Sequence, residues 1–274
     1  MIGEIVVVAS RTDPASENIA ERMMELALWE DEGLYHRFGG YRLVVLDERL
    51  INLRDLEGRL REMGLSPGLI VFASRHQAKD GTPRLCGHFP GNSGDAVMGG
   101  RPRELAVAAP GALKSFILNL TRAPPEGFEI TVEATHHGPT DLSTPSLFAE
   151  IGSTEAEWLN SEAGCAVARS ILKLEDLLVP AFIGFGGGHY VKRQNRLLME
   201  TKIGFGHLFS NYQAKDLDLS MIEEAAQKSG AVGAYLDRKS LRSAEKRRIS
   251  EALEEIGVEV MNEREIGERY PPHL

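Results

Sequence analysis

Short apolar runs alternate with amphipathic stretches along the chain, and their order predicts the elements. Ile5 to Ala9 is apolar and β-branched and reads as a buried strand, with Ser10-Arg11-Thr12-Asp13-Pro14 as the turn after it. From Ala15 to about Ala27, Ile19, Met23 and Leu26 share one helical stripe. The order recurs: Tyr41 to Leu46 is apolar, the stretch around Leu53 to Met63 is amphipathic, and Leu69 to Ala73 is a short strand ending at Ser74-Arg75-His76. Gln77 to Arg103 holds six glycines and three prolines and reads as a long loop or lid. Leu105 to Ala109 has strand character, and Pro110 to Leu120 comes next as a helix. Phe128 to Thr135 reads as a strand, and Thr154 to Leu174 as a helix capped by Ser153 or Thr154. Pro180 to Phe185 is the last strand of this core; helices over Leu217 to about Lys228 and Ser243 to Ile256 flank a strand over Ala231 to Leu236. Strand then helix, repeated, predicts an α/β fold. The expected division is a catalytic region over 1–216 and a smaller lobe over 217–274.

With 274 residues, 42% of them hydrophobic, the chain can bury a large core. Its net charge of −9 argues against broad polyanion binding, so any nucleic-acid contact has to be local. The cysteines are Cys86 and Cys165, with no CxxC spacing, which fits a reducing compartment and leaves metal binding to histidine and carboxylate. The opening MIGEIVVVAS is too short an apolar run to span a bilayer and lacks a basic start, so the cytoplasm is the expected location. No fixed-period repeat is present.

Six histidines sit in turn-like or glycine-rich contexts: His76 in SRHQAKDG, His88 in GHFPGNSG, His136 and His137 in EATHHGPT, His189 in GGGHY and His207 in IGFGHLF. Glycine is costly inside regular elements, so these contexts suggest a site rather than scattered turn residues. Strand alternation puts Glu133 and His137 on one face, with Glu133 either a metal ligand or the orienter of an imidazole. The same alternation favours His137 over His136 unless a bulge or the Gly138-Pro139 turn reverses it. Glu150 precedes a helix start and either faces a polar ligand or serves the cap. FGGGHY matches neither a P-loop nor a dinucleotide fingerprint; it reads as a close backbone approach to a substrate or its oxyanion, or as a tight turn. Lys192, Arg193, Arg196 and Lys202 form a basic patch, and Arg238, Lys239, Arg242, Lys246, Arg247 and Arg248 a denser one interleaved with glutamate. Either is a nucleic-acid contact or an ordinary solvated face.

Taken in order, SRHQAKDGTPRLCGHFPGNSG, VEATHHGPT, FAEIGSTEAEW and FIGFGGGHY closely resemble the archaeal and plant type of D-aminoacyl-tRNA deacylase, over essentially the whole chain. The resemblance implies hydrolysis of the ester between a D-amino acid and the terminal ribose of tRNA, with Zn2+ as cofactor. It also implies a three-layer core with a mixed or mostly parallel sheet, similar to phosphorylases and peptidyl-tRNA hydrolases, plus a smaller α/β lobe. His76, Lys79, His88, Asn92, Glu133, His136, His137, Glu150, Gly187, Gly188 and His189 occupy its motif positions. Together the two readings assign catalysis to Glu133, His137, His189 and His76. They assign zinc to His88, His136, His137, Glu133 and Glu150, and substrate to Lys79, Asn92, Gly187, Gly188, Lys192, Arg193 and Arg196. The expected partner is the tRNA acceptor end carrying a D-amino acid, held through phosphate and ribose, with no membrane and no obligate protein partner. Preference for the D form would come from a side-chain pocket for the D isomer, or from a backbone wall at Gly186 to Gly188 that leaves no space for an L side chain. Cys86 departs from the threonine or serine expected there. A metal-dependent amidase or peptidase on small substrates remains an alternative, although HExxH is absent. So does a noncatalytic RNA-binding module, without RRM-like, KH-like or zinc-finger signals. Kinship of fold with nucleoside phosphorylases would not fix function.

Overall fold

Val6, Val7 and Val8 are all fully buried, which requires a strand paired on both edges and covered on both faces. In the computed structural model, which describes residues 3–272, that strand is β1 (Glu4–Ser10) of an eight-stranded sheet. The spatial order is β2 (Glu30–Asp31), β3 (His36–Phe38), β4 (Tyr41–Leu46), β1, β5 (Pro67–Arg75), β10 (Ser146–Gly152), β6 (Arg84–His88) and β9 (Glu129–Val132). β4, β1, β5 and β10 run parallel, while β3 and β6 run against their neighbours β4 and β10, so the sheet is mixed. A small pair, β7 (Gly91–Asn92) and β8 (Glu104–Leu105), lies beside it.

Alternation along β1 sorts the two covers. Ile5, Val7 and Ala9 face a core shared with α1 (Pro14–Leu26), α3 (Pro110–Arg122) and α5 (Ser161–Ile171). Val6 and Val8 face Leu53 and α2 (Leu56–Glu62). The result is three layers. Asp13 starts α1 by accepting from the backbone N–H groups of Ala15 and Ser16, with Pro14 preset for the first turn.

A second sheet is wholly parallel, in the order β12 (Gly204–Phe209), β11 (Ala181–Phe185), β13 (Gly233–Leu236) and β14 (Val260–Met261). One face packs on α7 (Leu219–Ser229) and α8 (Ser243–Glu255). The other contributes Phe182, Phe205 and Leu208 to the core of the large sheet, near α6 (Lys192–Glu200) and α9 (Glu263–Arg269). Strands on both sides of residue 217 build this sheet, so the smaller lobe takes in β11 and β12 together with the elements beyond residue 217. Lys114 on α3 ties the lobes: its ammonium donates to the carbonyls of Leu198, Thr201 and Ile203 at 2.5, 2.6 and 2.7 Å.

Several expectations need correction. The glycine-rich 77–103 stretch is no continuous loop, because β6 runs through it as a fully buried strand. Gly87 is there for packing: a Cβ would stand 2.8 Å from Leu113 and 3.2 Å from Phe116 on α3. The 105–109 strand shrinks to β8 and an isolated bridge from Ala108 to Ser146. The 128–135 strand ends at Val132. The 154–174 helix is two, α4 (Glu155–Trp158) and α5, because Asn160 caps the second through Ala163 N–H at 2.9 Å. Among the described residues no helix is long and apolar enough to cross a membrane.

Candidate active site

The chain passes from β1 to β4 on one side and then to β5 on the other, so a crevice opens at the carboxyl ends of β1 and β5. Asp13 bridges it, accepting Arg75 N–H at 3.0 Å and the Ser74 hydroxyl at 3.3 Å. A cavity of about 200 Å³ lies there, lined by Thr12, Asp13, Arg49, Leu50, Ile51, Met98 and Ser74 to Gln77, with His136, His137, Glu150 and His189.

Three imidazoles meet there, His136 and His137 at the cavity wall and His88 buried behind them. His88 comes from the end of β6, and His136 and His137 from the segment after β9. Ring centroids are 4.1 Å apart for His88 and His136, 4.8 Å for His88 and His137, and 4.4 Å for His136 and His137. Strand alternation failed here because regular structure stops at Val132 and His137 has a left-handed φ of 49°, which turns both rings the same way. Each Nδ1 is paired with a backbone carbonyl: His88 with Phe89 at 3.2 Å, His136 with Ala134 at 2.9 Å, His137 with Gly138 at 2.8 Å. That pairing leaves the three Nε2 lone pairs free, and the buried Nε2 of His88 has no hydrogen-bond partner at all. Burial lowers all three, His88 to about 4 and His137 to about 3, so the rings are neutral at pH 7, as ligand imidazoles must be. The donor atoms of the three lie within 4.8 Å of one another and suit a zinc ion.

Beside this trio sits Glu133, buried between two further histidines. Its Oε1 lies 3.0 Å from His76 Nδ1 and its Oε2 3.2 Å from His189 Nε2, with His136 Nε2 at 3.7 Å. Burial alone would raise Glu133, but the hydrogen bonds from His189 and His76 outweigh it and hold the carboxyl well below the ordinary range. Those contacts likewise raise His76 and His189 against the pull of burial. Glu150, on β10, is the opposite case: burial, then the charge of Glu133, pushes it well up, so it stays protonated. Its Oε2 lies 3.6 Å from His88 Nε2 and 3.9 Å from His76 Nδ1. Cys86 Sγ is 3.9 Å from the same carboxyl oxygen, and burial keeps it a thiol where a hydroxyl was expected. Glu150 therefore belongs to the sheet floor rather than to the helix start after it.

His76 and His189 differ in what their second nitrogen meets. Arg84, buried at the start of β6, donates to Asp80 at 2.8 Å and to the Tyr190 hydroxyl at 2.9 Å; that hydroxyl lies 3.0 Å from His76 Nε2. An arginine only donates, so the Tyr190 oxygen accepts from Arg84 while it also meets His76 Nε2, and His76 Nδ1 faces Glu133 Oε1 at 3.0 Å. Both nitrogens of His76 are thereby occupied. His189, with 34% of its side chain exposed, is the imidazole on Glu133 that solvent reaches.

The other candidates lie farther from this centre. Lys79 is exposed and does not line the cavity. Asn92 donates to the carbonyls of Gly99 and Arg101, at 2.9 and 3.1 Å, and so shapes the loop that carries Met98. Gly186 and Gly187 take φ of 91° and 87°, and Gly187 N–H is spent on Ser240 Oγ at 2.6 Å, so this amide is not open to an oxyanion. The glycines act by delivering His189. Lys192 is exposed at the start of α6, whereas Arg193 pairs with Glu263 at 2.6 Å and Arg196 also binds Glu263, which carries both toward α9 and away from the histidines. His207 is structural: its nitrogens meet Thr135 Oγ1 at 3.0 Å and the Ala106 carbonyl at 2.9 Å.

A family model described as D-aminoacyl-tRNA deacylase matches residues 63–261, which span every histidine of this site. The chain belongs to the D-aminoacyl-tRNA deacylase family. The chain is 47% identical to the D-aminoacyl-tRNA deacylase of Methanothrix thermoacetophila over 97% of this chain and 99% of the relative. Identity to the Thermococcus onnurineus deacylase is 36%, over 94% and 99%. A crystal structure described as a conserved protein of unknown function superposes with a TM-score of 0.91 at 35% identity, covering 99% of both chains. Membership makes the chain a hydrolytic enzyme and removes the noncatalytic and peptidase alternatives. Sequence reasoning missed three residues of this deacylase site. Tyr190 stood inside the GGGHY motif, and Asp13 before Pro14 carried a helix-start signal, but nothing in the sequence marks Arg84 as buried.

Proposed function

We propose that this deacylase hydrolyses the ester joining a D-amino acid to the terminal ribose of tRNA in the cytoplasm, with Zn2+ held by His88, His136 and His137. The observation that carries this reading is the buried, ionised Glu133 clasped by His76 and His189 beside three neutral imidazoles with free nitrogens. When bound, zinc supplies Lewis-acid polarisation of the ester carbonyl and a more acidic water. His189, whose Nε2–H is held by Glu133, takes the proton of the attacking water on Nδ1 as the carbon–oxygen bond forms. It returns a proton to the ribose oxygen as the ester bond breaks. Glu133 stabilises the imidazolium between these steps, and His76, fixed by Tyr190, holds Glu133 in place. Leu50, Ile51 and Met98 form the apolar part of the cavity wall and receive the amino-acid side chain.

The test is a matched pair of assays with D- and L-tyrosyl-tRNA at equal concentrations. The D ester is expected to react at least about 100-fold faster in kcat/KM, which asks for only about 2.7 kcal/mol of differential stabilisation. Equal efficiencies would reject the reading.

A further inference from the structure

Between Arg238 and Arg248 stand six basic residues and one carboxylate, Glu245, in a chain whose net charge is −9. Arg193 pairs with Glu263 and Asp237 and Arg196 with Glu263 and Glu200, but among the described residues none of these six forms an ion pair, and Arg238, Lys239 and Arg242 are exposed. Unpaired charge is expected on any surface; what matters here is what it touches. Ser240, inside the cluster, accepts Gly187 N–H at 2.6 Å, and a Cβ on Gly186 would stand 2.5 Å from its oxygen. The cluster therefore abuts the turn that delivers His189.

A second segment closes the other side of that turn. Tyr212, 60% exposed, takes His189 N–H on its hydroxyl at 3.1 Å. Gln213 donates to the Thr135 carbonyl at 2.7 Å, one residue before His136, and the Ala214 carbonyl accepts from Arg248. Lys215 comes next, exposed and without an ion pair among the described residues. Basic side chains and an exposed aromatic ring thus border the catalytic turn on its smaller-lobe side.

We propose that this edge is the docking surface for the RNA backbone of the acceptor stem, with Lys215, Arg238, Lys239 and Arg242 on phosphates and Tyr212 stacked on an unpaired base near the 3′ end. The proposal rests on the reading that the substrate is an aminoacyl-tRNA. Phosphate contacts position a nucleic acid without reading its bases, and stacking on an aromatic face is equally tolerant of sequence. Both suit a reaction at the end of the strand. The cluster also relocates the basic surface that the sequence had centred on Arg193 and Arg196.

The experiment combines Lys215→Gln, Arg238→Gln, Lys239→Gln and Arg242→Gln. It measures binding of uncharged tRNA by fluorescence anisotropy across a salt series, and hydrolysis of D-tyrosyl-tRNA and of 3′-O-D-tyrosyl-adenosine. The expected result is tRNA affinity weakened by about 30-fold and a log–log salt slope reduced by about 3. The loss on D-tyrosyl-tRNA should appear in KM, while turnover of the nucleoside ester stays within about twofold because that substrate has no phosphates to contact. Unchanged tRNA affinity overturns the proposal, including the case in which the cluster binds an acidic protein instead. An equal loss on both substrates also overturns it, since the cluster would then act on the ester site. The binding arm is independent of turnover, so inactivity of the wild-type chain toward D-tyrosyl-tRNA would sink the functional reading and leave this one to be decided by affinity.

Discussion

The floor of the site, built by the eight-stranded sheet, and the rim beside it, built by the four-stranded one, handle charge in opposite ways. On the floor, His88, Glu133 and Glu150 are shut away from water, so burial and close partners decide which group is ionised. At the rim, Lys215, Arg238, Lys239 and Arg242 stand in solvent, where charge is permanent, screened by salt and felt at a distance. Fixed polarity at short range suits bond breaking; mobile charge at long range suits capture of a polyanion. The contrast teaches that a net charge of −9 says little about where RNA goes, because a local run of unpaired cations can stand on a chain whose total is acidic.

The largest effect that sharpens this contrast is metal removal. Protein stripped of zinc, with the loss verified by elemental analysis, is expected to lose at least about 10³-fold in kcat/KM and to recover on adding Zn2+ back. His88→Ala should prevent the recovery and lower zinc retention in the same assay. Full activity in verified zinc-free protein would remove the floor's metal role while leaving the rim untouched.

A smaller effect is expected from Tyr190→Phe. Loss of the hydroxyl frees His76 Nε2, so kcat should fall by about tenfold with little change in KM, the pattern of a positioning residue rather than a substrate contact. The nitrogen-15 shift of His76 Nε2 should move in the variant, because its hydrogen-bond partner is gone. An unaltered ring spectrum would break the chain from Arg84 to Glu133.

The smallest effect concerns the tie between the two regions. Burial lowers Lys114 to about 8, against three carbonyls that favour its charged form. A base depressed in the folded state binds fewer protons there than when unfolded, so its contribution to stability rises with pH between about 8 and its ordinary value near 10.5. Relative to Lys114→Met, the wild type should therefore gain stability over that window, by up to about 1.4 kcal/mol per pH unit, in urea unfolding. Parallel curves for the two proteins would contradict it.

Much of the scaffold was legible because burial on both faces leaves plain apolar runs, as in β1, β4, β5 and β11. β6 was not, since Arg-Leu-Cys-Gly-His carries a charge, a glycine and a histidine, each placed by a tertiary neighbour that no local pattern reveals. The histidine set was legible as a group from its motifs, and His207 was the one that proved to be packing. Which of His136 and His137 faces the cavity was not legible, because the left-handed turn at His137 is a backbone choice made beside a cis Gly138-Pro139 bond, outside the reach of strand alternation.

Glu133 comes after a strand of one sheet and His189 after a strand of the other, and they meet only because the sheets share a core. The large sheet carries the metal-type histidines with Glu133 and His76, and the small one supplies His189. Inheritance of the activity is therefore indivisible: a chain shortened to the large sheet loses His189, Tyr190 and Tyr212 at once, and the small sheet alone has nothing for His189 to pair with.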